Sequence, residues 1–121
     1  MSHIVTIKTQ LRDPIAIAAA CRRLGLAEPV QGTARLYGDQ TAQGLLIQLP
    51  GWEFPAAIDT ATGEVRHDNY GGAWGDAKEL DRLVQAYAVE KTRLEARKKG
   101  YLIQEQQLAD GSIKLTLQEP G

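Results

Sequence analysis

From Asp76 to Gly100 the chain carries a helical repeat that constrains the rest of the fold. Leu80, Leu83, Val84, Tyr87 and Leu94 recur at helical spacing, while Glu79, Asp81, Arg82, Glu90, Arg93 and Lys98 occupy the other faces. Asp76 and Glu79 have the spacing of a capping box, with Asp in place of the usual Ser or Thr. Lys98 and Lys99 stand in the last turn, and Gly100 ends it. A helix with one apolar stripe needs a layer to cover it, and the sequence on both sides reads as strand.

Residues 3–11 alternate, with Val5, Ile7 and Leu11 on one side and Thr6, Lys8 and Gln10 on the other, as a half-buried strand does. Asp13 and Pro14 open a second helix that runs to about Leu24, buries Ile17, Cys21 and Leu24, and stops at Gly25 with Leu26 folded back. Residues 27–44 are punctuated by Gly32, Gly38 and Gly44, with a short strand around 35–37. Residues 44–49 form a further strand ended by Pro50 and Gly51. Residues 55–59 and 64–67 make a hairpin with Gly63 in its loop. After the long helix, residues 101–108 and 112–118 make another, turning at Ala109, Asp110 and Gly111. The strict alternation of Ile113, Leu115 and Leu117 predicts one buried face on the last strand. The order is β-α-β-β-β-β-α-β-β. It predicts an α+β fold, a mainly antiparallel sheet with two helices packed on one face. One or two parallel pairs are compatible with the crossovers, and the two terminal strands are expected to meet in one sheet.

The chain's 121 residues suit a single domain over residues 1–121. A net charge of -1 gives no general reason to expect a nucleic-acid partner. The lone cysteine, Cys21, excludes an internal disulfide and a cysteine-based zinc site. With no secretory pattern at the start and no apolar run long enough for a bilayer, the expected setting is cytoplasmic, with no membrane partner.

The two ends carry a resemblance. Met1-Ser2-His3 followed by Ile7-Lys8-Thr9-Gln10 resembles the start of the family called domain of unknown function 1257. That family includes the hypothetical open-reading-frame 35 proteins of chloroplasts and cyanobacteria. Tyr87-Ala88, Gly100, Glu105-Gln106, Asp110-Gly111-Ser112-Ile113 and Leu117-Gln118 match it in order and spacing. The resemblance covers both terminal thirds, and the middle, about residues 27–75, departs from the family. It is nearly silent on chemistry and supplies no catalytic residues to carry over; no cofactor is expected. Some bacterial members are encoded near AAA-type ATPases, so it implies a protein partner of that kind.

Candidate chemistry concentrates in residues 67–75, where His67, Asp68, Asn69, Tyr70 and Trp74 lie among glycines just before the long helix. A small-ligand or peptide pocket there would use His67, Asp68, Tyr70 and Trp74. The plainer reading is a glycine-rich turn whose rings pack on the sheet. Trp52 and Phe54 could join Trp74 in an exposed aromatic lip, of the kind that anchors protein interfaces. The plainer reading is a core edge. His3 and His67 could bind a metal with Asp59 or Asp68, but no spacing demands it, and no metal is expected. Cys21 reads as an inert core residue. The basic residues at the helix ends, Arg22, Arg23, Arg93, Arg97, Lys98 and Lys99, read as complements to the helix dipoles. No serine elbow, phosphate loop or dinucleotide fingerprint is present. The sequence therefore points to a non-catalytic binding or adaptor subunit, with the surface at Trp52, Phe54, His67, Asp68, Tyr70 and Trp74. The alternative is a small-ligand-binding protein or enzyme built on the loop from His67 to Trp74.

Overall fold

A computed structural model describes residues 11–119 with their side chains, and the backbone of residues 4–8. The elements in chain order are β1 (Ile4–Lys8), α1 (Pro14–Arg23), β2 (Val30–Arg35), β3 (Thr41–Ile47), β4 (Ala56–Asp59), β5 (Glu64–Asp68), α2 (Ala77–Lys98), β6 (Leu102–Gln107) and β7 (Ile113–Gln118). A short 3-10 turn, Tyr70–Gly72, lies between β5 and α2. The fold is α+β, and its element order is the one the sequence predicts.

β1 to β5 form one sheet in the order β1-β5-β4-β3-β2, and every pair is antiparallel. Among the described residues the crossovers therefore produce no parallel pair. α1 takes the chain from one edge of the sheet to the other, and successive hairpins bring it back until β5 lies beside β1. Among the described residues the first and last strands do not share a sheet: β6 and β7 pair with each other, as a separate hairpin. The sequence also misplaced a strand. The chain is extended over Val30–Arg35 and turns at residues 36–40, closed by the Leu36 N–H donating to the Gln40 carbonyl at 2.8 Å.

Alternation sorts the sheet's side chains onto two faces. Ile47, Ile58 and Val65 point to one face and share a buried cluster with Ile17 and Cys21 of α1 and Leu80 and Leu83 of α2. Both helices thus cover the same face. The opposite face holds a smaller cluster of Leu36, Ala42 and Ala57, with Leu46 and Phe54 packed against it. At Gly44, β3 leaves no room for a side chain beside β4: a Cβ there would lie 2.3 Å from the Ile58 carbonyl oxygen. Its φ of +147° also disfavours any side chain.

The helices start and stop as their sequences direct. The Asp13 carboxylate accepts from the N–H groups of Ile15 and Ala16, and its own N–H donates to the Tyr87 hydroxyl of α2 at 3.2 Å. Leu26 folds back over Gly25, its N–H donating to the Cys21 carbonyl at 2.8 Å. Asp76 caps α2 by accepting from the Lys78 N–H at 2.9 Å. The Glu79 carboxylate instead takes a bond from Arg82, so the expected reciprocal capping box gives way to a one-sided cap.

Candidate functional site

The sheet separates the six residues singled out from the sequence. Trp52 and His67 lie on the helix-covered side, Phe54, Tyr70 and Trp74 cluster with the other face, and Asp68 is enclosed at the end of β5.

Trp52 belongs to the core. It is 5% exposed and packs in the cluster under the helices, so it forms no part of an exposed lip. Its ring meets His67 edge-on, with centroids 5.2 Å apart. Its indole N–H donates to the Asp76 carbonyl at 3.0 Å, tying the turn after β3 to the start of α2. The Gln48 side chain accompanies it, donating to the Trp52 carbonyl at 2.7 Å.

His67 and Asp68 are also buried, at 5% and 0% exposure. As consecutive strand residues they lie on opposite faces of the sheet, so they do not converge on one substrate. Neither ring nitrogen of His67, nor Oδ2 of Asp68, has a hydrogen-bond partner among the described residues. Asp68 Oδ1 accepts from the Tyr70 N–H at 3.4 Å. Burial pushes the His67 pKa below its ordinary value, against the weaker opposing pull of the Asp68 charge. The shift favours the neutral imidazole at neutral pH.

Residues 69–75 fold around Asn69. The Asn69 carbonyl accepts from Gly72 and Trp74, and the Asn69 side chain donates to the Gly75 carbonyl at 3.2 Å. Tyr70 has φ 48°, a left-handed conformation uncommon for a residue with a bulky side chain. That geometry stacks the Tyr70 ring on Trp74, with centroids 4.6 Å apart and planes 25° from parallel. Phe54 meets the same indole edge-on at 5.6 Å, and Tyr37 meets it at 5.2 Å. Tyr37 and Tyr70 remain 45% and 47% exposed. The Glu53 N–H donates to the Trp74 carbonyl at 2.8 Å, fixing the loop against the segment that carries Phe54.

The aromatic surface is thus Tyr37, Phe54, Tyr70 and Trp74. The sequence reading missed Tyr37, because it placed residues 35–37 in a strand. Tyr37-Gly38-Asp39 is a turn signal that could have shown it. The sequence marks Asn69 only as a polar loop residue, whereas its side chain holds the loop closed.

The other candidates fall elsewhere. Asp59 is at the far end of β5's hairpin, where it accepts from the Ala61 N–H at 3.0 Å. His3 lies outside the described residues. Among the described residues no group of three or more His, Cys, Asp or Glu side chains comes together to hold a metal. Cys21 is fully buried, and burial raises its thiol pKa, which disfavours the nucleophilic thiolate. Several cations at the helix ends are paired with acids: Arg22 with Glu28, Arg23 with Glu90 and Glu105, Arg93 with Glu105, and Lys98 with Glu95. Among the described residues no helix is long and apolar enough to cross a membrane. Compared with known protein families, curated proteins and solved structures, the chain finds no match in any of the three.

Proposed function

We propose that this is a small cytoplasmic binding or adaptor subunit that engages a partner protein through Tyr37, Phe54, Tyr70 and Trp74. The observation that carries this reading is the pair of half-exposed tyrosine rings packed on one indole. Large rings held rigid lose little entropy on binding, and they anchor many protein interfaces. The strained backbone at Tyr70 is consistent with a ring positioned for contact at some local cost. The likeness of the chain's ends to the domain of unknown function 1257 family motivates one specific partner class, an AAA-type ATPase.

The test is affinity capture of the tagged chain from its native cell, beside a Tyr37→Ala/Tyr70→Ala variant. A stoichiometric protein captured by the unaltered chain and lost by the variant supports the reading. Recovery of the chain alone, or equal capture by both, defeats it. The alternative, a ligand-binding protein or enzyme using His67 and Asp68, is disfavoured by their burial and their opposite faces. A ligand that raises the melting temperature of the native chain but not of His67→Ala would revive it.

A further inference from the structure

The hairpin of β6 and β7 has two strand edges without a neighbouring strand among the described residues. It stands off the helices across a cleft of about 490 Å³, lined by Arg23, Leu24, Gln85, Ala86, Glu105 and Ile113 among others. Its ties to the body include polar ones. Arg23 grips both oxygens of Glu105, at 3.0 and 2.7 Å, and the Gln85 side chain donates to the Gly111 carbonyl at 3.1 Å. The expected buried face of β7 is incomplete: Ile113 and Leu115 are half-buried, and Leu117 is 44% exposed. Two strands so loosely covered are near the limit of what a hairpin sustains in water.

The register shows which backbone groups face outward. The Leu108 N–H donates to the Ser112 carbonyl at 2.9 Å, so the two residues form a hydrogen-bonded pair. Alternation then makes Gln106 with Lys114, and Gln104 with Thr116, hydrogen-bonded pairs as well. Ile113, Leu115 and Leu117 take the positions between, and their N–H and C=O groups point away from β6 to the free edge. That edge has no proline and its register has no bulge, two common guards against strand pairing. Lys114 is the only charged residue in β7.

We propose that β7 pairs antiparallel with β7 of a second copy of this chain, centred on Leu115. Leu115 then lies opposite the partner's Leu115, Ile113 opposite the partner's Leu117, and Lys114 opposite the partner's Thr116. Apolar side chains meet on one face, and no like charges are opposed. The outward groups of three residues on each strand form about six backbone hydrogen bonds. A slip of one residue would set outward-facing groups against residues whose N–H and C=O groups are already bonded to β6. The β6 edge lacks this complementarity, because its central outward residue is Glu105 and self-pairing there would oppose two carboxylates. The product is a four-stranded sheet, β6-β7-β7-β6, which passes the strand number at which sheets become stable.

The test is sedimentation equilibrium of the full chain over a range of concentrations, beside variants of β7. The native chain is expected to show a concentration-dependent dimer. Leu117→Pro removes an outward N–H and none of the β6–β7 bonds. It is expected to stay monomeric where the native chain dimerises, with an unchanged far-ultraviolet dichroism spectrum. Leu115→Cys is expected to cross-link two chains under mild oxidation, since paired Cα atoms lie about 5.5 Å apart. Lys114→Cys and Thr116→Cys are expected not to, because neither residue faces its own counterpart. Cys21 is buried and stays out of the reaction. A native chain that sediments as a monomer throughout overturns the proposal. So does a folded Leu117→Pro variant that still dimerises, or cross-linking that favours position 114 or 116. If Leu117→Pro disrupts the hairpin, the cysteine pattern decides alone.

Discussion

The ring of Trp52 packs so tightly against Gly75 that a Cβ on Gly75 would come within 2.5 Å of indole Cδ2. The same indole donates to the Asp76 carbonyl, so one side chain sets the position of the last loop residue and the first cap of α2. The ring is walled in by the core and has little room to retreat. Gly75→Ala is therefore expected to destabilise the protein by about 1–3 kcal/mol, the usual cost of overpacking. Urea unfolding of the two proteins measures it. An unchanged midpoint would mean that the loop, and the aromatic surface built on it, adapts more freely than its contacts indicate.

How far the sequence disclosed the fold depends on which signals were local. Both helices were readable because Asp13, Asp76, Gly25 and Gly100 mark their ends and the apolar residues keep one period. Gly63 likewise marked the hairpin of β4 and β5. β2 was not readable, since the apolar positions of its alternation are Val30, Gly32 and Ala34, and glycine and alanine are weak strand formers; the strand is held chiefly by pairing with β3. The site was half legible. The run from His67 to Trp74 announced polar and aromatic chemistry, but period two put His67 and Asp68 on opposite faces. Trp52 and Phe54, two residues apart in an irregular turn, ended in different clusters. Where irregular backbone sends a ring is settled by tertiary packing, and no local pattern records it.

The buried imidazole of His67 makes stability depend on pH in a stated direction. Its folded pKa lies below the unfolded value of 6.5, so the unfolded chain binds the proton more readily. The contribution is fully present above the unfolded pKa and is lost progressively as pH falls from about 6.5 toward the folded value. His67→Phe is expected to abolish that slope while preserving the contact with Trp52. Urea midpoints from pH 7.5 down to about 5 check this. A native slope equal to that of His67→Phe would show that His67 protonates without cost, and its enclosure would have to be looser than its 5% exposure implies.

Asp13 has two roles that substitution can separate. Its carboxylate caps α1 and also accepts from Lys91 Nζ at 2.8 Å, and that bond, above the other causes, holds its pKa below 3.8. Asp13→Ala is expected to cost about 0.5–2 kcal/mol, the range for a lost N-cap. Asp13→Asn keeps a capping oxygen and is expected to cost less. Because the folded pKa is depressed, the acid-dependent part is present above about pH 4 and disappears as pH falls through the folded value. Chemical unfolding of both variants at pH 7 and pH 3 resolves the two contributions. Equal losses for Ala and Asn would assign the effect to the Lys91 pair and leave the cap without weight.

The grip of Arg23 on Glu105 decides how firmly the β6–β7 hairpin sits on the helices. The two side chains are 26% and 30% exposed, so water screens the pair and its contribution to global stability is expected to be small, within about 1 kcal/mol. Its local effect is expected to be larger. The hairpin makes few contacts with α2, and the bidentate geometry is the most specific of its polar ties. Glu105→Gln should therefore leave the urea midpoint nearly unchanged while amide exchange accelerates in β6 and β7 and not in the five-stranded sheet. Hydrogen exchange read by mass spectrometry separates the two regions, since residues 102–118 are contiguous. Uniform acceleration across the chain would mean that the hairpin and the sheet open together, and that the cleft between hairpin and helices does not divide the molecule into parts of unequal stability.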